Sequence, residues 1–530
     1  MTTAARWVGL AALAALVSVA PLAAVTVEVH NPFGDVRVSI GTGSRFRIQG
    51  SGVNRAATQE DTEITRTDER VIVRCAPADD EPIDLDILIP IGFSVDITTT
   101  AGDIEISGMV RGARLSTDTG SLKLAVPWRA TRIQIDSERK PGHVLAPPGQ
   151  FTQTEIAVTA ERTIWRLRDR IPAEQVIYGR VRARAQSPGD VQLMDQPIPA
   201  DSPIKLPWQS VEVIEEILQA KPRPERNPKP DAADAAPRRQ PSGPEDSSVF
   251  RSEVRMVNLV VTATDEAGHP AGGLAHSDFT VIEEGREQQL SFAGSDDAPF
   301  NLAILLDLSG STKPDRQAMR VAAKRFVALA RPNDRVAVYA LAGDIFHVVA
   351  PLSNEREALL ETLDKLPEVA GGSPVYDAVA LAYAEELRDH PGERNALIVI
   401  SDGIDNQVSK QTDAPSTIKF KRLVKAAAEM NALIYPVFLR SGERFGRNWS
   451  KKARARMQQL AGASNGRLFA AISIQDLDPI FPLIEAELRG VYSVAYYPSN
   501  QDFDGGWRNV KVQVSRPGIT IQARPGYYAR

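Results

Sequence analysis

The sequence has little cysteine and little histidine. Of its 530 residues one is cysteine, Cys75, and six are histidine. A single cysteine excludes an internal disulfide, so Cys75 is predicted to be a small apolar strand residue. The histidines form no closely spaced motif for a metal ion or a general base. Sites built on thiolate or imidazole ligands are therefore not expected.

Neither sign of charge is in large excess. The chain has 62 Lys and Arg against 67 Asp and Glu, a formal net charge of -5. No dominant basic stripe is evident, which gives no support for a nucleic-acid partner or an anionic membrane surface. A hydrophobic content of 43% over this length predicts a globular protein of two to four domains.

Several enzyme signatures are also missing. The sequence has neither a Walker-type phosphate loop nor a Gly-x-Gly-x-x-Gly fingerprint. Leu308-Ser309-Gly310 lacks the Gly-x-Ser-x-Gly elbow that activates a hydrolase serine. We therefore expect that the chain is not an enzyme.

Residues 1–24 have the layout of a secretory signal peptide. Arg6 precedes an apolar stretch, residues 8–19, which is short for a membrane span, and Ala24 is the expected cleavage position. Leu22 is a poor residue near such a cut, so an uncleaved anchor is the alternative. No cysteine lies nearby, which excludes a lipoprotein anchor. The prediction is an exported chain, periplasmic, cell-surface or secreted, whose mature form has no transmembrane helix.

Residues 25–206 are predicted to be β-rich. Short segments repeat a glycine, a polar residue and alternating apolar residues: Gly34-Asp35-Val36-Arg37-Val38, Gly102-Asp103-Ile104-Glu105-Ile106, Gly120-Ser121-Leu122-Lys123-Leu124 and Gly189-Asp190-Val191-Gln192-Leu193. The 18-residue step from Gly102 to Gly120 suggests stacked β-rungs with glycine corners. A β-solenoid and an antiparallel sandwich both fit this pattern. In either case the Asp residues of these segments are expected to stabilise turns and not to take part in catalysis.

Residues 207–248 are predicted to be a linker. The stretch is rich in proline, alanine and charge, and it cannot bury enough apolar area to offset its chain entropy. One short helix is expected at its start, over residues 211–219.

Two β-rich flanks surround an α/β segment. Residues 249–298 and 491–530 alternate apolar and polar residues and lack helical periodicity. Each flank has too few strands to close a core alone, so we predict one small β-sandwich with residues 299–490 inserted between its halves.

The inserted segment alternates buried strands with amphipathic helices, which is typical of a doubly wound parallel sheet. Strands are predicted at 302–306, 335–341, 395–400, 433–439 and 467–470. Helices are predicted at 316–330, 355–366, 376–387, 418–430, 452–460 and 477–489.

Five oxygen-bearing side chains are predicted to meet at one edge of this sheet. They are Asp307, Ser309, Ser311, Ser373 and Asp402. Ligands in open α/β sheets bind at the carboxyl ends of the strands. Oxygen-only ligands select a hard cation, Mg²⁺ first, with Mn²⁺ and Ca²⁺ as alternatives. Two carboxylates neutralise the ion and leave it able to accept a further anionic oxygen.

These residues resemble the metal-ion-dependent adhesion site of von Willebrand factor A-type domains. The resemblance implies that Ser309 and Ser311 bind the metal directly and that Asp307 and Asp402 bind directly or through water. The family usually has threonine where Ser373 stands. Ser373 has a second interpretation, as the N-cap of a helix that starts at Pro374.

The resemblance extends over residues 250–528, to related proteins abundant in acidobacteria. It is carried by Asp278-Phe279, Gly372-Ser373 with Tyr376-Asp377-Ala378, Tyr496-Tyr497-Pro498-Ser499 and Arg524-Pro525-Gly526-Tyr527-Tyr528. Residues 95–126 are similar to the adhesin-like β-solenoid domains of bacterial envelope proteins.

Together these features predict an exported, envelope-associated binding protein. Its metal ion would coordinate the carboxylate of an Asp or Glu of a protein or extracellular-matrix-like partner. A metal-independent scaffold in an envelope complex is one alternative, and a metal-dependent hydrolase is another.

Overall fold

A computed structural model describes residues 25–43, 45–52, 61–67, 69–77, 81–157, 163–172, 175, 177–219, 256–266, 270–294, 299–364, 366, 371–390, 393–406, 416–439, 447–471, 476–502 and 504–529. The predicted signal peptide, and the predicted linker beyond residue 219, lie outside these residues. Within the described part, no helix is both long enough and apolar enough to cross a membrane.

The N-terminal region is rich in strands, as predicted. Its strands are β1 Thr26–Asn31, β2 Val36–Gly41, β3 Arg47–Gly52, β4 Thr62–Arg66, β5 Arg70–Cys75, β6 Ile83–Pro90, β7 Ser94–Thr99, β8 Ile104–Ser107, β9 Gly112–Thr117, β10 Leu122–Val126, β11 Thr131–Ser137, β12 Val144–Leu145, β13 Phe151–Ala157, β14 Thr163–Asp169, β15 Gly179–Ala185 and β16 Val191–Asp195. Cys75 is buried in β5.

The strands of this region form two sheets that share one core. Over the described residues, one sheet has the order β13-β14-β11-β15-β9-β7-β1-β5-β4 and the other β12-β16-β10-β8-β2-β6-β3. From β5 to β12, successive strands of the chain alternate between the two sheets. Most neighbouring strands pair in parallel, for example Val27 with Val95 and Val36 with Ile104. The pairs β3 with β6, β4 with β5, β11 with β14 and β13 with β14 are antiparallel. The inward side chains are mostly Val, Ile and Leu.

Glycine and aspartate occupy the corners between the two sheets. A Cβ on Gly102 would lie 1.8 Å from the carbonyl oxygen of Gly34, and a Cβ on Gly120 would lie 1.9 Å from that of Gly102. Only glycine allows this approach of one corner to the next. Asp35 Oδ1 accepts from the Asp103 amide at 3.0 Å, and Asp103 Oδ1 accepts from the Ser121 amide at 2.7 Å. These aspartates therefore link successive corners.

The first part of the predicted linker is ordered and packs on the α/β unit. A short strand, β17 Ile204–Lys205, is followed by a 3₁₀ turn over Pro207–Gln209 and by helix α1 Ser210–Gln219. A linker starting at residue 207 is therefore wrong for this stretch, whereas the short helix is found. The reason is burial, since Ile214 of α1 lies in the apolar core of the α/β unit.

A small β unit combines strands from both flanks of the α/β segment. The first flank supplies β18 Val257–Thr264, β19 Phe279–Glu283, β20 Arg286–Gln288 and β21 Leu290–Gly294. Strand β18 pairs antiparallel with residues 491–496 and 520–523, and β19 pairs antiparallel with residues 510–514. Strands on the two sides of the α/β segment thus share hydrogen bonds and one core.

The α/β unit follows in chain order. Its elements are β22 Phe300–Asp307, α2 Arg316–Leu329, β23 Arg335–Ala342, β24 Ile345–Ser353, α3 Arg356–Asp364, α4 Val375–Glu385, β25 Arg394–Ser401, α5 Phe420–Ala427, β26 Leu433–Leu439, α6 Arg447–Ala463, β27 Phe469–Ala471 and α7 Leu477–Arg489. The second flank then supplies β28 Val491–Tyr496, β29 Trp507–Val514, β30 Thr520–Ala523 and β31 Gly526–Tyr528.

The sheet of the α/β unit has the order β17-β24-β23-β22-β25-β26-β27. Helices α2, α3 and α7 cover one face, and α1, α4, α5 and α6 cover the other. From β22 the chain first adds β23 and β24 on one side. It then crosses to the other side of β22 and adds β25, β26 and β27 there. The strand order therefore reverses between β22 and β25, where α/β sheets bind their ligands.

The N-terminal region docks on the edge of this sheet. Strand β17 pairs antiparallel with β24. No strand was predicted from the sequence at the position of β24. A separate apolar cluster joins Ile91, Met109 and Leu206 to Ile345 of β24. Backbone pairing and apolar packing thus hold the two regions together.

Candidate functional site

The predicted site residues lie around the point where the strand order reverses. Asp307 is the last residue of β22, and Asp402 follows the last residue of β25. These strands are neighbours in parallel register, with Leu306 opposite Ile400. Two carboxylates therefore leave adjacent strands at the same edge of the sheet.

Asp307 is buried and is surrounded by donors. Its side chain is 1% exposed. Oδ1 accepts from the Ser309 amide at 3.1 Å, and Oδ2 accepts from the hydroxyls of Ser373 at 3.0 Å and Ser401 at 2.6 Å. These three donors fix the orientation of the carboxylate. Asp307 thereby joins three loops of the site.

The loop after β22 presents Ser309 and Ser311 together. Their hydroxyl oxygens lie 3.2 Å apart, and Ser309 is buried. Two hydrogen bonds to backbone carbonyls stabilise the loop: the Thr312 hydroxyl donates to the Asp307 carbonyl, and Arg316 donates to the Leu308 carbonyl at 2.5 Å. The Ser309 and Ser311 hydroxyl oxygens each keep a lone pair that could bind a cation.

Asp402 is the least solvated group of the site. It is 0% exposed, and Oδ1 accepts from the Ile404 amide at 3.0 Å. Burial, and then the nearby charge of Asp307, raise the pKa of its carboxyl. Its other oxygen, Oδ2, is buried and makes no hydrogen bond of normal geometry among the described residues, although the nearby Ser311 hydroxyl acts to lower the pKa of the carboxyl. A buried carboxylate oxygen without a full partner is costly, and a positive group beside it would offset that cost.

Ser373 is held by the loop that precedes α4. Its amide donates to Asn406 Oδ1 at 2.7 Å, while its hydroxyl donates to Asp307. Helix α4 begins at Val375, and Pro374 in the N-cap position makes no side-chain cap. The N-cap interpretation of Ser373 is therefore wrong, because its hydroxyl points to the carboxylate instead.

Oxygen-rich geometry fits a hard cation. The five predicted residues supply carboxylate and hydroxyl oxygens, the donor set that Mg²⁺, Mn²⁺ and Ca²⁺ prefer. A cation would satisfy Asp402 Oδ2 and would offset the repulsion between the two carboxylates. The described residues contain no cluster of three or more His, Cys, Asp or Glu that could hold a metal ion, so a cation here would depend on the serine hydroxyls as well as on the two carboxylates.

Three further residues of the site were missed or only noted by sequence reasoning. Ser401 donates to Asp307 and accepts from the Gly403 amide, and its place at the end of β25 was the available signal. Asp344 adopts a φ of 65° and accepts from the Gly372 amide at 3.0 Å. Asp405 is buried and accepts from the Tyr376 amide at 3.1 Å. Asp344 and Asp405 position the loops that carry the predicted ligands.

The sequence profile of the von Willebrand factor type A domain matches residues 302–404. This range covers the reversal point and includes the five predicted ligands. The α/β unit contains a von Willebrand factor A domain. No curated protein matches the chain.

Several solved structures are similar to part of the chain. An aerotolerance-related membrane protein from Bacteroides fragilis NCTC 9343 is 17% identical, with 36% of this chain and 98% of that chain covered, at a TM-score of 0.27. The pilus adhesin SpaC from Lactobacillus rhamnosus GG is 10% identical, with 47% of each chain covered, at a TM-score of 0.30.

A third similar structure is proximal thread matrix protein 1 from the mussel byssus, with a zinc-occupied MIDAS motif. It is 16% identical, with 39% of this chain and 50% of that chain covered, at a TM-score of 0.31. The chain thus spans about half the length of the adhesin and of the matrix protein.

Proposed function

We propose that the von Willebrand factor A domain binds a divalent cation through Asp307, Ser309, Ser311, Ser373 and Asp402. The bound ion would then coordinate an acidic group of a protein or matrix partner. The observation that carries the proposal is the pair of buried carboxylates at the ends of β22 and β25, with one oxygen of Asp402 making no hydrogen bond of normal geometry among the described residues.

The charge of the site supports a role in binding. Two carboxylates balance a divalent ion, and the serine hydroxyls add no charge. The ion therefore keeps its attraction for a carboxylate from outside. Mg²⁺ is the proposed ion, because small hydroxyl and carboxylate oxygens suit it, and Mn²⁺ and Ca²⁺ are the alternatives.

The chemistry of the site favours binding over hydrolysis. Hydrolysis would need a general base beside the metal. Asp307 is engaged by Ser309, Ser373 and Ser401, and Asp402 is buried. Neither carboxylate is placed to take a proton from a substrate or water, so we propose that the chain is not an enzyme.

We also propose an exported protein with a β-solenoid before the metal site and a β-sandwich interrupted by the α/β unit. Alternating strands in parallel register support the solenoid. Pairing of β18 with β28 and of β19 with β29 supports the interruption. The leader-like residues 1–24 support export.

Metal-dependent binding to an acidic ligand is tested with the full chain and a simple acidic probe. Poly-glutamate immobilised on a sensor should capture the protein in Mg²⁺, and EDTA should release it. Ser311→Ala should bind poorly because a hydroxyl ligand is lost, whereas Ser277→Ala, at an exposed serine outside the site, should bind like the wild type. Capture that is equal in EDTA would favour the metal-independent scaffold, and poly-glutamine captured as well as poly-glutamate would contradict an acidic ligand.

A further inference from the structure

Strand β15 carries arginine at each of its outward positions. Its burial alternates along Gly179–Ala185, with Val181 and Ala183 buried. The residues between them, Arg180, Arg182 and Arg184, are exposed. A strand of seven residues thus presents three positive charges on one face, about 6.6 Å apart along the strand.

Neighbouring strands add arginines to the same face. In the parallel register, Arg182 lies opposite Arg114 of β9 on one side and Gln134 of β11 on the other. Gln134 in turn lies opposite Arg168 of β14. Neighbouring strands are about 4.8 Å apart, so each of the other arginines lies within about one Debye length, roughly 10 Å, of Arg182. We name Arg114, Arg168, Arg180, Arg182 and Arg184 the arginine face.

Acidic residues neutralise this face only in part. Asp136 lies opposite Arg184 in the register, but its carboxylate is hydrogen-bonded to Arg166 at 2.7 Å. Asp96 lies 3.7 Å from Arg114, whose side chain is 81% exposed. Among the described residues, the structure records no ion pair for the other four arginines of the face. Like charges on adjacent strands repel, so the arrangement costs stability unless an anion binds.

The composition of the face narrows the class of anion. Gln134 and Ser116 lie between or beside the arginines, and Thr152 and Thr154 lie across β14. No outward position of β9, β11, β14 or β15, all of which the structure describes, holds an aromatic residue that could stack on a base. Amide and hydroxyl groups among guanidinium groups suit an extended chain that carries both carboxylates and hydroxyls.

We propose that the arginine face binds an acidic polysaccharide. The site is separate from the metal site, lies in the N-terminal region, and needs no cation. Sequence composition did not show it, because the chain has a net charge of -5 and the arginines come from three strands. Parallel register brings them together only in the folded protein.

The test uses the full-length protein in EDTA, so that the metal site does not contribute. Polygalacturonate is the probe, and uncharged dextran is its control. The wild type should bind polygalacturonate and should lose affinity as NaCl is raised. Arg180→Gln/Arg182→Gln/Arg184→Gln should bind roughly tenfold more weakly, because three exposed charge contacts are removed.

Two control variants separate local charge from other effects. Lys451→Gln/Lys452→Gln/Arg454→Gln removes the same charge from the exposed side of α6 and should bind like the wild type. Arg180→Lys/Arg182→Lys/Arg184→Lys keeps the charge and should retain most of the binding. Circular dichroism melting should show no loss of stability in any of the three variants, since removal of like charges from the arginine face relieves repulsion.

Other outcomes would overturn the proposal. These are equal binding of uncharged dextran, wild-type binding by the glutamine variant, or equal losses in the α6 variant. The same holds if single-stranded DNA or phosphatidylglycerol vesicles bind through these arginines while polygalacturonate does not.

Discussion

The carboxyl of Asp377 links helix α1 to residues 417–418, and we expect its titration to change the free energy of unfolding. The carboxyl of Asp377, on α4, is 1% exposed. It accepts from Ser210 Oγ of α1 at 2.7 Å and from the amides of Thr417 and Ile418 at 2.8 and 3.0 Å. Burial raises its pKa from 3.8 to about 7, despite these donors.

The sign of the pH effect follows from the raised pKa. The folded protein holds the proton more tightly than the unfolded chain, so the stabilisation is complete below the unfolded pKa of 3.8. It is lost as the pH rises through about 7. At about 1.36 kcal/mol for each pKa unit, the contribution of Asp377 falls by about 3 kcal/mol between about pH 5 and about pH 8.

The assay compares the wild type with Asp377→Asn, which keeps one acceptor oxygen and does not titrate. Urea unfolding of the full chain in EDTA, followed by hydrogen exchange of peptides from the α/β unit, reports the stability at each pH. The wild type should lose about 3 kcal/mol relative to Asp377→Asn over this range.

A control variant isolates the buried carboxyl. Asp364→Asn removes an exposed carboxyl on α3, and its difference from the wild type should depend little on pH between about 5 and 8. A difference between Asp377→Asn and the wild type that stays constant with pH would refute a buried, protonated Asp377.

Two other predictions concern the N-terminal region and its docking. Gly102→Ala should destabilise the N-terminal region by roughly 3 kcal/mol in urea unfolding, because its Cβ would meet the Gly34 backbone, whereas Gly43→Ala meets nothing within 4 Å and should be neutral. His347, buried in β24 opposite β17, has its pKa lowered to about 4 by burial, so its stabilisation is present above pH 6.5 and is lost as the pH falls. Acidification from about pH 7 to about pH 5 should therefore cost the wild type about 2 kcal/mol relative to His347→Gln, and an equal pH response in the two proteins would contradict this.

The sequence predicted the α/β unit well because its strands are short, fully apolar and bounded by polar residues. Residues 302–306 and 395–400 lie inside β22 and β25. The predicted helix over 477–489 has the same bounds as α7. Neighbouring parallel strands then bring Asp307 and Asp402 to one edge.

Other features depend on tertiary contacts that a single sequence does not show. The sequence predicted helix α1 but not its docking, which depends on the burial of Ile214 against the α/β unit. Strand β24 pairs with β17, which lies far away in the sequence. The arginine face depends on register between strands, so its residues looked like scattered surface charges.

Isothermal calorimetry, with Mg²⁺ titrated into the full-length protein, measures whether the von Willebrand factor A domain binds a cation at the proposed site. The wild type should bind one ion, Ser309→Ala/Ser311→Ala should bind none that is detectable, and Asp364→Asn should bind like the wild type. A wild type that binds none of Mg²⁺, Mn²⁺ and Ca²⁺, or a double serine variant that binds as tightly as the wild type, would contradict a metal site built from these residues.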